Sequence, residues 1–237
     1  MEGLILAAGK GSRLSPDMSS EVCKALVRVA DTPLIVYSLE NLRRLGIEKA
    51  TIVIGNRHGE IPASLGSDYR GIALQYAVQE QPIGLANAMI SASAYLKEDL
   101  IFQLSDEIFL QSEIEKILPD GTDPFDFAIG YTMESAERIR QNYAVERDEQ
   151  KRIFRCTEKP KTVLNNMKGT GFCYFSRDCY TLLVQNYDPE KNQPNDLCDF
   201  MNLLVQNGKT GRAVQIAREE ININTPADLL YAKRRLN

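Results

Sequence analysis

The chain has one histidine, His58. No Ser/His/Asp or Cys/His constellation can be read around it, so catalysis through an imidazole-activated nucleophile finds no support. Paired cysteines are missing as well. Cys23, Cys156, Cys173, Cys179 and Cys198 are odd in number and show no C-x-x-C spacing. That argues against a disulfide framework or a zinc site and for scattered reduced thiols. Cys23 stands beside Lys24, a cation that can lower a thiol pKa, yet it is read as an ordinary thiol. No apolar run is long enough for a bilayer. The opening stretch Leu4 to Ala8 is short and has neither the basic flank nor the cleavage site of a signal peptide. A cytoplasmic protein without membrane contact is therefore expected. There is also no excess of positive charge, since 28 Lys and Arg face 32 Asp and Glu for a net charge of −4. A general nucleic-acid binder needs a basic footprint, so no nucleic-acid partner is expected. A small phosphorylated ligand needs only a few well-placed cations and stays allowed.

What is present is the ordinary balance of a globular protein, 43% hydrophobic and 25% charged over 237 residues. Short apolar runs alternate with amphipathic stretches, the pattern of an α/β protein with a mixed, mostly parallel central sheet flanked by helices. Strands are expected at residues 3–8, 50–54, 73–78 and 100–104. Pro33 to Leu45 reads as a helix with Thr32 as cap and Gly46 as stop, its apolar residues on one stripe. A second helix is expected at 85–96. Ser112 and Glu115 form a candidate capping box for a short helix. Further strands are expected at 126–132, 143–147, 152–158, 170–175 and 212–217, and helices at 177–187 and 196–207. Thr225-Pro226-Ala227-Asp228 opens a last helix with a cap, an N1 proline and an acidic first turn. With no repeat, low-complexity segment or linker, residues 1–237 read as one domain.

A glycine-rich loop, Leu6-Ala7-Ala8-Gly9-Lys10-Gly11-Ser12-Arg13, follows the first strand. Glycines let backbone N–H groups approach an anion, and Arg13 offers a fork of donors for phosphate oxygens. It is not a P-loop, because five residues separate Gly3 from Gly9 and no Gly-Lys-Ser/Thr follows. It is not a dinucleotide fingerprint either. Leu14-Ser15-Pro16-Asp17 breaks the helix required there, and the second strand ends in Gly55-Asn56-Arg57 rather than an acid.

The loop gains meaning from Lys24-Ala25-Leu26-Val27-Arg28-Val29 and Thr32-Pro33-Leu34-Ile35. Together these closely resemble the N-terminal signature of sugar-1-phosphate nucleotidylyltransferases, an LAAGxGxRL loop followed by a lysine and a Pro-Leu helix start. Cys23 replaces the proline usual before that lysine. Gln79-Glu80-Gln81-Pro82-Ile83-Gly84-Leu85-Ala86 looks like the family's base-recognition segment, where a glutamine reads a pyrimidine. Leu104-Ser105-Asp106-Glu107-Ile108-Phe109 matches a Leu-Gly-Asp-Asn-Ile-Phe segment whose aspartate holds Mg²⁺. Ser105 and Glu107 are departures, and Glu107 is expected to be solvated, as charged side chains usually are. Tyr143-Ala144-Val145-Glu146, Glu158-Lys159-Pro160 and Thr170-Gly171 resemble the sugar-phosphate segments. Ile221-Asn222-Ile223-Asn224-Thr225-Pro226 sits where many relatives have Asp-x-x-Thr-Pro, the first position being the second metal ligand.

The resemblance spans residues 3 to about 230. It implies a Rossmann-like, GT-A-type nucleotidyltransferase fold, with residues 1–110 as the nucleotide half and 111–237 as the sugar-phosphate half. It also implies an Mg²⁺-dependent transfer of a nucleotidyl group from UTP or dTTP to a sugar 1-phosphate. The implied catalytic residues are Arg13, Lys24 and Asp106. The nucleotide would meet Leu6, Ala7, Ala8, Gly9, Gly11, Ser12, Arg13, Gln79, Gly84 and Leu85. The sugar phosphate would meet Ala144, Glu158, Lys159 and Gly171, and Mg²⁺ would meet Asp106 and Asn222. Two alternatives stay open: a cytidylyltransferase acting on phosphocholine or an alditol phosphate, and a non-catalytic sugar-nucleotide-binding regulator. Relatives are often dimers or tetramers, so a homo-oligomer is compatible, whereas a trimer built through the left-handed β-helix extension of longer members is not expected.

Overall fold

The computed structural model describes residues 1–9, 11, 13–14, 23–55 and 59–236. The first strand, β1 (Glu2–Leu6), leads to a small ribbon of β2 (Arg28–Val29) and β3 (Thr32–Pro33). Helix α1 (Leu34–Arg44), β4 (Lys49–Gly55), α2 (Glu60–Leu65), β5 (Asp68–Tyr69), β6 (Ile72–Gln79), α3 (Leu85–Ser91) and β7 (Leu100–Leu104) follow. The chain continues through β8 (Glu107–Leu110), β9 (Phe127–Met133), α4 (Ala136–Arg140), β10 (Tyr143–Arg147), β11 (Arg152–Glu158) and β12 (Met167–Phe175). It closes with α5 (Arg177–Asn186), α6 (Leu197–Gln206), β13 (Gly211–Gln215), β14 (Glu219–Asn222) and α7 (Pro226–Leu236).

Ten strands form one mixed sheet in the order β10-β11-β13-β9-β12-β7-β1-β4-β6-β5. The pairings β6–β4, β4–β1, β1–β7 and β13–β9 are parallel, while β12 runs antiparallel to both β7 and β9. This is the mixed α/β architecture that the alternating pattern predicts. Both faces of the sheet are covered, which is why its central strands read as continuous apolar runs. Alternation still sorts the side chains. Leu4 and Phe102 join one core with Met89 of α3, Leu183 of α5 and Phe200 of α6. Ile5 and Ile101 join the opposite core with Ile35, Leu39 and Leu42 of α1.

Local starts and stops follow sequence chemistry with two exceptions. Thr225 and Asp228 cap α7 reciprocally: Asp228 N–H donates to Thr225 Oγ1 at 3.2 Å and Thr225 N–H donates to Asp228 Oδ2 at 2.7 Å. Thr32, expected to cap α1, lies in β3 and makes no cap bond; Pro33 takes the N-cap position and the helix starts at Leu34. Ser112 does not cap either. Its hydroxyl accepts from Arg44 at 2.7 Å, and a 3₁₀ turn over Ile114–Ile117 stands where a helix was expected. In both places a tertiary or turn partner outcompetes the local cap.

Strands β8 and β14 pair antiparallel with Glu107 opposite Asn222, and Ile223 N–H donates to Asp106 O at 2.9 Å. Segments more than a hundred residues apart thus meet at the carboxyl end of β7. Beneath this ribbon lies a buried charge group that corrects the expectation for Glu107. Glu107 is 4% exposed, and both its carboxylate oxygens accept from Gly171 N–H at 2.9 Å. Burial, then the nearby Glu220, pushes its carboxyl well above the usual range. Lys168 of β12 pairs with Glu220 of β14, both side chains being almost fully buried.

Removing one member of a buried pair strands the other, at a cost of about 3–5 kcal/mol, whereas replacing both with apolar residues can be neutral. Lys168→Met should therefore lower unfolding free energy by about that amount in denaturant titration, and Lys168→Met combined with Glu220→Leu should recover most of it. Equal losses in the single and double variants would show that the pair does not act as a unit.

Candidate active site

Beyond Leu6 the chain leaves the sheet as Ala7-Ala8-Gly9. Ala7 N–H donates to Val53 O at 2.8 Å and Ser105 N–H to Leu6 O at 3.2 Å, so the loop stays tied to β4 and to the end of β7. Gly11 takes φ 63°, a left-handed conformation that glycine adopts without a Cβ penalty, and its carbonyl accepts from Leu14 N–H at 2.9 Å. Ser12 lies outside the described residues.

The loop forms one wall of a cavity of about 520 Å³. Leu6, Ala7, Ala8, Gly9, Lys24, Gln79, Gly84, Leu85 and Asp106 all line it, at the carboxyl ends of parallel strands where open α/β sheets place ligands. Gln79 is buried in its wall, and its Nε2 donates to Gly84 O and to Asn87 Oδ1, each at 3.0 Å. A carbonyl can only accept, so this pair of bonds fixes which way the amide points. Both Nε2 hydrogens are committed, and Oε1 is left as the acceptor end.

Lys24 stands at the mouth, in a 3₁₀ turn over Lys24–Leu26. Its Nζ pairs with Asp106 Oδ2 and donates to Asn224 Oδ1 at 3.0 Å. Arg13 also donates to Asn224 Oδ1, at 3.3 Å, and Asn224 Nδ2 donates to Asn222 Oδ1 at 2.7 Å. The next residues anchor this chain of polar groups, because Asn224 N–H donates to the capping carboxylate of Asp228 at 2.9 Å. The neighbouring Cys23 is buried and its thiol pKa is pushed up by that burial, in keeping with an ordinary thiol.

Arg13, Lys159, Asn222 and Asn224 line a second cavity, of about 660 Å³. Lys159 is held there by its N–H, which donates to Asn142 O at 2.7 Å. Asp106, Asn222 and Asn224 offer one carboxylate and two amide oxygens. These are hard donors that suit Mg²⁺, which takes one or two carboxylates and completes its shell with substrate phosphates and water. Among the described residues no group of three or more His, Cys, Asp or Glu could cage a metal without such help.

Gly11, Ala144, Glu158 and Gly171 line neither cavity. Ala144 is buried within the sheet, opposite Thr157 and Lys168. Glu158 is 42% exposed beside Lys159 at 3.6 Å, its carboxyl raised by partial burial and then by Asp196. Gly171 has its N–H taken by Glu107. A Cβ there would lie 2.6 Å from Leu104 Cδ1 and 2.9 Å from Glu107 Oε1, so glycine lets β7 and β12 close over that carboxylate. Asn224, central to the cluster, was not singled out from sequence. Its signal was the alternation Ile221-Asn222-Ile223-Asn224, which puts both amides on one side.

The profile of the nucleotidyl transferase family matches residues 2–220. UTP–glucose-1-phosphate uridylyltransferase AglF of Haloferax volcanii is 29% identical over 239 residues, covering 100% of this chain and 96% of that protein. Glucose-1-phosphate thymidylyltransferase of Streptomyces antibioticus is 26% identical, and the match covers 99% of this chain but 65% of that enzyme's length. A solved UDP-glucose pyrophosphorylase in complex with UDP-glucose superimposes with a TM-score of 0.85 at 18% identity, over 99% of this chain and 97% of the other. At that identity the likeness is one of fold. Among the described residues no helix is long and apolar enough to cross a membrane.

The orientation of Gln79 is open to a direct check. Gln79→Glu keeps the shape but sets an acceptor against Gly84 O and Asn87 Oδ1, so unfolding free energy should fall by about 1–3 kcal/mol at neutral pH. An unchanged denaturation midpoint would mean that the amide does not hold the loop in this way.

Proposed function

This chain belongs to the nucleotidyl transferase family, and we propose that it moves a uridylyl or thymidylyl group from UTP or dTTP to a sugar 1-phosphate, releasing pyrophosphate. The observation that carries this is the junction at Lys24, whose Nζ joins Asp106, in the lining of the first cavity with it, to Asn224 in the lining of the second. A single cation between two compartments is what a phosphoryl centre requires if donor and acceptor come from opposite sides.

The acceptor needs no activation by a base. A phosphate monoester has a second pKa of about 6 and is largely a dianion at neutral pH. One of its oxygens attacks the α-phosphorus, the bond from that phosphorus to the bridging oxygen breaks, and the electron pair leaves on pyrophosphate. No proton has to move, which agrees with a chain holding one histidine. The residues must instead gather two anions, stabilise the charge that develops and keep attack and departure in line. In this reading Gly9 and its neighbours admit the nucleotide, and Gln79 Oε1 accepts from the N3–H of uracil or thymine. Cytosine has no hydrogen at N3, so the same acceptor repels it. Lys24 shifts from its carboxylate partner onto the α-phosphoryl oxygens, with Arg13 on the rest of the triphosphate. Lys159 takes the acceptor phosphate and Glu158 the sugar hydroxyls. Asp106, Asn222 and Asn224 would hold Mg²⁺, which when bound polarises phosphate oxygens as a Lewis acid.

A pyrophosphate-release assay with Mg²⁺, crossing UTP, dTTP, CTP, ATP and GTP against sugar 1-phosphates and phosphocholine, tests the proposal. Release with UTP or dTTP and a sugar phosphate is expected, and Lys24→Ala should lower turnover at least about a hundredfold, the scale of one lost transition-state contact. Near-normal turnover in Lys24→Ala, or release confined to CTP with phosphocholine, would overturn it.

A further inference from the structure

A glutamine does not by itself choose between pyrimidines. Uracil and thymine carry a hydrogen at N3 and cytosine carries a lone pair there, and an amide meets either by turning half a circle about its last bond. Gln79 therefore selects a base only if something prevents that turn. It is buried at the end of β6. Both hydrogens of its Nε2 go to the first turn of α3, one to Gly84 O and one to Asn87 Oδ1, each at 3.0 Å. The first turn of a helix has spare N–H groups, which would suit the amide oxygen and leave Nε2 for the base. Asn87 puts an oxygen there instead.

The two acceptors differ in kind. Gly84 O is a backbone carbonyl held by α3 itself, because it also accepts from Ala88 N–H at 3.2 Å. The same turn is tied to the second half of the chain, since Ala86 N–H donates to Asn195 O at 3.2 Å. Asn87 Oδ1, by contrast, has no donor other than Gln79 among the described residues. Leu85 and Ala88 of the same helix line the cavity of Gln79 and Asn87 does not, so Asn87 reaches the base only through Gln79. We propose that Asn87 is a positioning residue that keeps Gln79 Oε1 toward the base, and so sets the preference for a pyrimidine with a hydrogen at N3 over cytosine. This deepens the reaction proposed above and rests on it. With the amide turned over, Oε1 would face the Gly84 carbonyl and Asn87 Oδ1 would lose its donor. That cost falls on the cytosine complex and not on the uracil complex. Leucine at position 87 removes one of the two bonds that resist the turn. Aspartate keeps an acceptor there and cannot turn to offer a hydrogen of its own.

Isothermal titration of UTP and of CTP, each with Mg²⁺ and without any acceptor, into the wild type, Asn87→Leu and Asn87→Asp tests this. The wild type should bind UTP more tightly than CTP. The ratio of the two dissociation constants should shrink about five- to tenfold in Asn87→Leu, the scale of one hydrogen bond. In Asn87→Asp it should stay at least as large as in the wild type, because any repulsion between the new charge and the triphosphate weighs on both nucleotides alike. A residue that only supports the fold would weaken UTP and CTP together. A ratio in Asn87→Leu within about twofold of the wild type, or a ratio lost equally in Asn87→Leu and Asn87→Asp, therefore overturns the assignment while leaving the reaction untouched. A wild type that prefers CTP, or binds neither nucleotide, overturns the reaction and this assignment with it. Selective UTP binding that depends on Asn87 in a protein that releases no pyrophosphate with any sugar 1-phosphate would defeat the reaction and leave the role of Asn87 standing.

Discussion

Lys24 and Asp106 share a salt bridge, partly buried, that closes only because three distant segments arrive together. Lys24 comes from the turn after the glycine loop, Asp106 from the end of β7, and the Asn224 amide that also accepts from Lys24 comes from beyond β14. The pairing of β8 with β14 and the Ile223 N–H bond to Asp106 O set this meeting. An ammonium held between a carboxylate and an amide keeps its charge in place without burying it beyond reach. It is also poised to exchange that carboxylate for phosphate oxygens. The rest of the site is arranged round this contact: Lys24 and Asp106 line the cavity of Gln79, and Asn224 lines the one that holds Arg13.

Support for that junction comes from below as well as beside it. Glu107, next to Asp106 in sequence, is withdrawn from the site by the Gly171 N–H and lies among Lys168 and Glu220. Adjacent acids therefore have opposite fates. Asp106 faces the cavity with a cation to hand, and Glu107 is turned inward where burial favours its neutral form.

Much of this was legible in the sequence, and the divisions are physical. The central strands and the amphipathic α1 follow from periodicity alone, since a sheet covered on both faces and a helix packed on one both write their burial into nearby residues. The short β8 and β14 were missed because four-residue strands carry little pattern and depend on each other across the chain. The capping roles expected of Thr32 and Ser112 failed for a related reason: a hydroxyl near a helix start is free to choose a better partner, and Ser112 has Arg44. Glu107 was misjudged as solvated because its fate is decided by Gly171, Lys168 and Glu220, none of them near it in sequence. The loop, Lys24, Gln79 and Asp106 could be named in advance through a resemblance whose motifs are local. Asn224 could not, because its role comes from what the fold sets beside it.

The account depends on a triphosphate that sets its base at Gln79 and its α-phosphorus at Lys24. A crystal structure with UTP and Mg²⁺, in the absence of any sugar phosphate, examines this directly. The account predicts the uracil N3–H on Gln79 Oε1, the Lys24 ammonium on an α-phosphate oxygen, and the outer phosphates at Arg13. A nucleotide with its base in the cavity lined by Arg13, or with its triphosphate turned away from Lys24, would contradict it.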